Sequence, residues 1–347
     1  MTDIYEIKRF LKEYDGPPVR LMEVCGTHTA AIARNGIPGM LSENVQLVSG
    51  PGCPVCVTVT DYIDRLVSFA KKPGYAAVSF GDMLRVPGTR GNLSDARSDG
   101  GDIRMVYSPS DTLALAQHEP DTTFVFAAVG FETTTPAYAL LLAEAEKLEI
   151  SNIRLLTALK TMPAAIDWVC RQSDSIDGFL APGNVSVITG SDVFSALSQT
   201  YRIPFAVAGF EGESLLAAIY ALVKRHGSPG VLNLYPCAVT AQGNRMAQDI
   251  TAKYFEPCDA AWRGMGTIRA SGMMLRKTYA HYDAGSAGLD LDHTNAYCRC
   301  AQVLIGELLP SGCPSFGKAC SPHAPLGACM VSAEGSCYQY FINHRGY

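Results

Sequence analysis

Short apolar runs alternate with helical patterns over the first two thirds of the chain, and this alternation restricts the possible folds more than any other feature. Such alternation predicts βα units whose strands pair in parallel, and therefore an α/β protein. The predicted strands are Arg20–Val24, Gln46–Val48, Ala76–Phe80, Ile103–Tyr107, Thr123–Val129, Ile153–Ala158, Gly178–Ala181 and Phe205–Ala208. The predicted helices are Ile4–Tyr14, Thr60–Lys71, Ser110–His118, Pro136–Leu148, Ala164–Gln172 and Glu213–His226.

These βα units allow two arrangements. They could close into a single TIM barrel, which would use about 230 residues here. We favour two smaller doubly wound parallel-sheet domains, residues 1–119 and 120–228, because a polar loop that contains a proline interrupts the pattern at His118–Thr122. In both arrangements the functional side chains belong at the carboxyl ends of the strands.

The composition changes beyond about Gly227. Cysteine, glycine and proline become more frequent, no further strands are predicted, and the sequence from His281 onward is typical of loops. A loop-rich segment needs a stabilising element besides an apolar core, and in the cytosol a metal centre can supply it. Residues 229–347 are therefore predicted to form a smaller, loop-rich C-terminal domain around a metal site.

The overall charge and the apolar stretches argue against several classes of protein. A formal charge of −5 without clusters of Lys and Arg is unfavourable for nucleic-acid binding. The N-terminal sequence has no apolar signal segment, and the longest apolar stretches, such as Phe124–Val129 and Leu215–Val223, are too short to cross a membrane. We expect a soluble cytoplasmic protein with no membrane or nucleic-acid partner.

Twelve cysteines in such a chain need an explanation. Structural disulfides are rare in the cytosol, so metal binding or thiol redox chemistry is favoured. Cys170 and Cys237 are the exceptions. We expect both to be buried structural residues, because free cysteine is among the most buried residue types.

The first cysteine motif is MEVCGTHT, residues 22–29. Cys25 follows a predicted strand, Gly26 permits a tight turn, and a helix is expected to follow. A helix N-terminus and a neighbouring imidazolium both stabilise a thiolate, so Cys25 with His28 is predicted to be a thiol of low pKa or a metal ligand. The alternative is a small buried thiol beside a histidine that caps the helix.

The second motif is GPGCPVC, residues 50–56. A C-P-x-C sequence between a strand and a helix is typical of dithiol–disulfide exchange. One CxxC could instead be half of a zinc site, but the chain contains no second CxxC. Cys53 and Cys56 are therefore predicted to be redox-active.

A third group of cysteines lies near the C-terminus. Four thiolates satisfy either tetrahedral zinc or a [4Fe–4S] cluster. The wide, irregular spacing lacks the paired knuckles of zinc modules and modestly favours the cluster, while zinc remains open. The candidates are Cys298, Cys300, Cys313, Cys320, Cys329 and Cys337.

Several loops after predicted strands carry polar residues. The loop GFETTT, residues 130–135, contains Glu132, which is either a site acid or a helix-capping residue. The loop APGNVS, residues 181–186, has the same location in its unit. No GxxxxGK[ST] or GxGxxG sequence is present, so the motifs give no support for nucleotide binding.

Taken together, these motifs resemble the HypD family of hydrogenase maturation factors. The resemblance runs through almost the whole chain. Its motifs are MEVCGTHT (22–29), GPGCPVC (50–56), FGDMLRVPG (80–88), GFETT (130–134), APGNVS (181–186), AGFE (208–211), WRGMG (262–266), CPSFGKAC (313–320) and GACMVSAEGSC (327–337). The resemblance implies two α/β domains plus a third that bears a [4Fe–4S] cluster, and a role in assembling the Fe(CN)2CO unit of [NiFe]-hydrogenases.

The resemblance also implies roles for individual residues. Cys25 would hold the iron jointly with a cysteine of the small chaperone HypC, HypE would deliver cyanide, and the hydrogenase large subunit would be served indirectly. Cys53 and Cys56 would take part in redox supply, with His28, Glu132 and Glu334 as further site residues. The implied cluster ligands are Cys300, Cys313, Cys320 and Cys337, which leaves Cys298 and Cys329 spare.

The chain departs from the family pattern at two positions, where Asn184 replaces an expected histidine and Ala333 an expected serine. An amide cannot titrate near neutral pH, which puts a proton-transfer role at position 184 in doubt. Two rival functions stay open on the sequence alone. One is a stand-alone thiol–disulfide oxidoreductase fed by the cluster, and the other is a zinc-stabilised interaction module.

Overall fold

The computed structural model describes residues 3–293 and 295–343 and contains two open β-sheets within them. All eight predicted strands are present, with ends that differ by one or two residues. The strands are β1 Val19–Glu23, β2 Val45–Ser49, β3 Tyr75–Ser79, β4 Ile103–Met105, β5 Thr123–Gly130, β6 Ile153–Lys160, β7 Gly178–Pro182, β8 Pro204–Ala208, β9 Gly230–Asn233, β10 Phe255–Trp262 and β11 Gly266–Leu275.

Helices connect most of these strands, and the six predicted helices are confirmed. The helices are α1 Ile4–Glu13, α2 Gly26–Arg34, α3 Thr60–Ala70, α4 Leu93–Ser98, α5 Asp111–His118, α6 Thr135–Lys147, α7 Met162–Gln172, α8 Gly183–Thr189, α9 Ser195–Tyr201, α10 Gly212–Lys224, α11 Arg245–Tyr254, α12 Cys300–Leu304 and α13 Ser336–Asn343. Among the described residues, none of the helices is both long and apolar enough to span a membrane.

The first sheet has the strand order β2-β1-β7-β8-β9, and all its strands are parallel. The second sheet has the order β10-β11-β6-β5-β3-β4, in which β3 to β6 are parallel and β10 and β11 are antiparallel. The fold is therefore α/β with two parallel-dominated sheets, and the alternative of one closed barrel is wrong.

The sheets do not follow the expected boundary between residues 119 and 120. Strand β1 pairs with β7, and β3 pairs with β5, so each sheet takes strands from both sides of that boundary. The polar loop at His118–Thr122 is simply the turn between α5 and β5. A polar turn marks the end of a βα unit, whereas long crossovers decide which strands become neighbours.

The expectation that strands end near Gly227 is also wrong, because β9, β10 and β11 lie beyond it. Strands β10 and β11 form an antiparallel hairpin in which buried and accessible residues are mixed. Buried parallel strands read as continuous apolar runs, but a half-exposed antiparallel strand does not. Polar residues such as Glu256 and Asp259 therefore concealed this hairpin in the sequence.

A central apolar core lies between the two sheets. In the first sheet, Met22 faces this central core, whereas its neighbour Leu21 packs against an outer core formed with α1, α2 and α10. In the second sheet, Val125 faces the central core and Phe126 an opposite outer core. Side chains alternate across a strand, so each sheet is buried on both faces.

The part of the chain that follows β11 is rich in turns, as predicted. Its helices α12 and α13 are short, and a small cluster formed by Cys320, Met330 and Phe341 makes a separate core there. The free thiols Cys300 and Cys329 instead belong to the central core. This cysteine-rich segment is therefore packed directly against the α/β body.

Candidate metal and thiol site

Cys25 lies where the first sheet meets α2. Strand β1 ends at Glu23, and Cys25 is the N-cap residue of α2, with 5% of its surface exposed. The backbone N–H groups of Thr27 and His28 face its sulfur. The N-terminus of a helix favours negative charge, so this position suits a thiolate or a thiolate bound to a metal.

Two glycines allow other segments to approach Cys25 closely. A Cβ on Gly52 would lie 2.2 Å from the backbone nitrogen of Cys25, and a Cβ on Gly26 would lie 2.4 Å from the Cβ of Glu334. The backbone N–H of Gly26 also donates to the carbonyl oxygen of Gly52 over 3.1 Å. The loop that carries Cys53 is therefore held against the turn that carries Cys25.

Cys53 and Cys56 are joined by a disulfide, and their Cα atoms are 5.3 Å apart. Both residues are buried in the central core, with exposures of 3% and 0%. The backbone N–H of Cys56 faces the sulfur of Cys53 at 3.2 Å. The structure therefore pairs the two cysteines of the CPVC sequence and keeps them from bulk solvent.

Residues 332–335, here called the SAEG loop, connect the site to the C-terminal cysteines. The Ser332 hydroxyl lies 3.4 Å from the Cys53 sulfur, and the Thr27 hydroxyl donates to Glu334 Oε1 over 2.8 Å. A Cβ on Gly335 would lie 2.2 Å from the carbonyl oxygen of Cys329. Glu334 therefore lies beside the Cys25 turn, and the same loop contacts both Cys53 and Cys329.

Burial dominates the protonation of the site. It raises the pKa of the Cys25 thiol to about 12, against the opposing effect of the backbone N–H of His28. It also raises the pKa of Glu23 to about 8, although the carboxylate accepts hydrogen bonds from the Thr29 hydroxyl and the Cys25 N–H. Of the two alternatives predicted for Cys25, the thiol of low pKa is therefore wrong, and the metal ligand stays a prediction.

His28 does not act as an imidazolium beside Cys25. Its Nε2 faces the carbonyl oxygens of Ala208 and Gly209 at 3.3 and 3.1 Å, and its ring packs against Phe210. Burial lowers the pKa of His28 to about 4, so the ring is neutral near pH 7. Because Nε2 must donate to these carbonyls, His28 fixes the end of β8 against α2.

Asn184, at the position where the resemblance leads us to expect histidine, lies beside Cys25. The Cys25 sulfur is 3.8 Å from Asn184 Oδ1, which also accepts a hydrogen bond from the backbone N–H of Val185 over 2.9 Å. The side chain can therefore orient the thiol but cannot exchange a proton with it near neutral pH.

Glu132 lies at the carboxyl end of β5, in the second sheet. Its Oε1 accepts a hydrogen bond from the backbone N–H of Met162 over 2.8 Å, and its Oε2 has no hydrogen-bond partner among the described residues. Met162 is the first residue of α7, so Glu132 caps this helix. Burial raises the pKa of Glu132 to about 7. Its hydrogen bond links two βα units and does not involve Cys25.

The C-terminal thiols lie close together. Cys300 interacts electrostatically with Cys298 and Cys329, and Cys329 interacts with Cys337. Cys320 interacts electrostatically with Cys298. Neighbouring thiols and burial together raise the pKa values of Cys298, Cys300, Cys320, Cys329 and Cys337.

The sixth candidate, Cys313, interacts electrostatically with Cys320. Among the described residues, no three or more His, Cys, Asp or Glu side chains are arranged to hold a single metal ion. Several soft sulfur donors in one region suit either zinc or an iron–sulfur cluster. Cys170 is buried as predicted, but Cys237 is exposed, so the expectation of burial is wrong there.

Comparison with known proteins identifies the family. Residues 3–344 match the profile of HypD, described as the hydrogenase formation hypA family. The hydrogenase maturation factor HypD of Azotobacter vinelandii is 40% identical over 343 residues, which cover 94% of this chain and 89% of the relative. The HypD of Escherichia coli is 40% identical over 335 residues, 93% of this chain and 89% of the relative. The chain belongs to the HypD family.

Membership extends to archaeal relatives. A putative hydrogenase expression/formation protein of Methanocaldococcus jannaschii is 38% identical over 333 residues, which cover 94% of this chain and 92% of that protein. The HypD motifs that lie far apart in the sequence meet in the structure, because Cys25, Cys53 and Glu334 lie on three segments that touch one another. Two residues of this site, Glu23 and Ser332, were not singled out from the sequence. Each lies in a motif that contains a more conspicuous residue, Cys25 in the first and Glu334 in the second.

Proposed function

We propose that this chain is a hydrogenase maturation factor that holds an iron centre on Cys25 while its Fe(CN)2CO unit is assembled. One observation carries the proposal. The SAEG loop contacts the Cys25 turn, the Cys53–Cys56 pair and Cys329, so the candidate iron ligand, the redox pair and the C-terminal thiols form one continuous arrangement.

The chemistry of the donors supports this role. A soft thiolate suits low-spin iron that carries cyanide and CO. Cys25 lies at a helix N-terminus, where two backbone N–H groups face its sulfur and would stabilise the thiolate that forms when iron binds. The iron is cargo here, and the residues of this chain hold it and exclude water.

The C-terminal thiols are proposed to hold a [4Fe–4S] cluster that supplies electrons. Such a cluster transfers one electron at a time. Two electrons, together with two protons, would convert the Cys53–Cys56 disulfide into two thiols. Motif resemblance assigns its ligands as Cys300, Cys313, Cys320 and Cys337.

Cys298 and Cys300 are both candidates for the fourth ligand. Each interacts electrostatically with Cys337, Cys298 also interacts with Cys320, and Cys300 is buried in the central core. Replacing Cys298 and Cys300 separately by alanine decides between them. Replacing the cysteine that binds the cluster should lower the iron content and the visible absorbance of the protein. Replacing the other cysteine should leave both unchanged.

The partners follow from the same proposal. A HypC-type chaperone would donate the second cysteine to the iron, HypE would deliver cyanide, and the hydrogenase large subunit would receive the unit indirectly. The alternative of a stand-alone thiol–disulfide oxidoreductase is disfavoured, because Cys53 and Cys56 are buried and offer no free surface to a protein disulfide.

Metal analysis of anaerobically purified protein tests the proposal. We expect about four irons with matching acid-labile sulfide for a [4Fe–4S] cluster. When the protein is co-purified with a HypC-type chaperone, we expect further iron that is lost in Cys25→Ala but kept in the control Cys170→Ala. Zinc in place of iron, or equal iron in the two variants, would contradict the proposal.

A further inference from the structure

The second sheet contains a cavity of about 500 Å³ that none of the thiol-site cysteines lines. It arises because β6 pairs with β11 only through Leu159 and Lys160. Along the rest of this edge, residues 283–290 replace a strand, and the backbone N–H of Thr157 donates to the Ser286 hydroxyl over 2.9 Å. The cavity lies in the gap between this segment, β6 and the β10–β11 hairpin.

Lys160 lines the cavity and is only 3% exposed. Its ammonium lies 5.5 Å from the centre of the Trp262 ring, and among the described residues it has neither a hydrogen-bond acceptor nor a carboxylate partner. A buried charge without a partner is costly, so proteins seldom keep one that has no use. Burial lowers the pKa of Lys160 to about 8, which still leaves it mainly protonated at pH 7.

A second buried cation makes this end of the cavity positive. Arg263 is 2% exposed, and its guanidinium donates to the carbonyl oxygens of Thr58 and Pro87. It lies near enough to Lys160 to oppose its protonation. Among the residues that the structure describes, no carboxylate contacts Lys160 or Arg263, so the positive charge of the two cations is not neutralised.

Three of the four carboxylates of the cavity wall are engaged elsewhere, and the fourth, Asp290, is exposed at the surface. Asp259 accepts a hydrogen bond from the Ala270 N–H over 2.9 Å, and Asp283 accepts one from the Ser286 hydroxyl over 2.5 Å. Glu256 pairs with Arg276 at 3.3 Å. These partners hold the acidic groups away from Lys160, so the ammonium stays available to a ligand.

The rest of the wall is largely apolar, with Ala158, Ala260, Ala261, Met273 and Leu289 among its residues. Lys160, Gly272 and Cys258 occupy one row across β6, β11 and β10, and the Cys258 sulfur lies 3.1 Å from the point where a Cβ on Gly272 would be. The volume lies within the range of small-molecule sites, which combine apolar walls with a few polar anchors.

We propose that this cavity binds a small amphipathic anion, whose carboxylate or phosphate group pairs with Lys160 and whose apolar body lies against the apolar wall. The ligand supplies the missing counterion of a buried ammonium. This binding is independent of the iron site, because the cavity shares no residue with the Cys25 turn or the SAEG loop.

Tryptophan fluorescence tests the proposal directly. Trp168→Phe leaves Trp262 as the only tryptophan of the chain, next to Lys160. The variant is titrated with octanoate, octyl phosphate and neutral 1-octanol, which share one apolar body. We expect saturable binding of at least one anion with a Kd below about 1 mM and much weaker binding of the alcohol. The tighter anion identifies the head group.

Two further variants complete the test. Lys160→Met should weaken anion binding by at least about tenfold, whereas Lys277→Met, at an exposed position of the wall, should change it by less than about twofold. Lys160→Met should also raise Tm, because it removes an uncompensated buried charge. Equal binding of octanol and the anions, unchanged octanoate binding in Lys160→Met, or a lowered Tm of that variant would overturn the proposal.

Discussion

The α/β body, residues 3–275, and the cysteine-rich segment, residues 276–343, are stabilised in different ways. In the body, each sheet is buried on both faces by apolar side chains. In the segment, the separate apolar core consists of three buried residues, and the helices α12 and α13 span five and eight residues. Helices of that length are not stable by themselves.

This difference shows what the C-terminal cysteines contribute to the fold. Hydrophobic stabilisation scales with the apolar area removed from water, and the segment removes little of its own. Its thiols lie against one another and against the central core, so a metal cluster would join loops that apolar contacts hold only weakly. The order of the segment, and with it the position of the SAEG loop, should depend on that cluster.

Removal of the cluster should have the largest effect. We expect chelation of iron under reducing conditions to abolish the hydrogen-exchange protection of residues 298–341, while the strands of both sheets keep theirs. Exchange measured by mass spectrometry, peptide by peptide, checks this expectation. Protection that survives in the segment would show that it folds without metal.

The contact between the Cys25 turn and the loop that carries Cys53, both in the α/β body, can be broken by one substitution. Gly52→Ala places a Cβ 2.2 Å from the backbone nitrogen of Cys25, so the loop and the Cys25 turn must separate. We expect the free energy of unfolding to fall by about 3 kcal/mol.

Gly39→Ala provides the matched control for this substitution. No atom lies within 4 Å of a Cβ at position 39, so its effect should stay within about 0.5 kcal/mol. Chemical denaturation measures both variants. Equal stability of the two would mean that the approach of Gly52 to Cys25 is not required.

A smaller effect should appear in the pH dependence of the free energy of unfolding of the α/β body. Burial raises the pKa of Glu132 from its ordinary value of 4.5 to about 7, so the native state binds this proton more tightly than the unfolded state does. The stabilisation is complete below about pH 4.5 and is lost as the pH rises through about 7.

Glu132→Gln should remove this contribution and keep the hydrogen bond to the N–H of Met162. The free energy of unfolding, measured from pH 4.5 to 8, should then fall less steeply than in the parent protein. Parallel curves for the two proteins would show that Glu132 does not retain its proton. The C-terminal thiols should be unaffected, because Glu132 caps α7 in the second sheet.

The same contrast explains what the sequence could predict. Strands such as β5 and β8 are continuous apolar runs, and a local pattern suffices to locate them. Strand neighbours could not be predicted, because pairing such as β1 with β7 depends on crossovers that span more than a hundred residues. The β10–β11 hairpin was missed because its strands are only partly buried.

In the candidate site, too, some features could be predicted from the sequence and others could not. The motifs singled out Cys25, Cys53 and Glu334, and the structure brings the segments that carry them together, while their roles stay predictions. The neutral state of His28 and the identity of the helix that Glu132 caps could not be predicted. Both depend on burial and on backbone groups contributed by distant segments.

Infrared spectroscopy of the anaerobic complex with a HypC-type chaperone tests the central claim most directly. If Cys25 holds the iron, Cys25→Ala should lose the cyanide and CO bands of the complex and keep the visible absorbance of the cluster. Cyanide and CO bands of full intensity in Cys25→Ala would contradict the assignment.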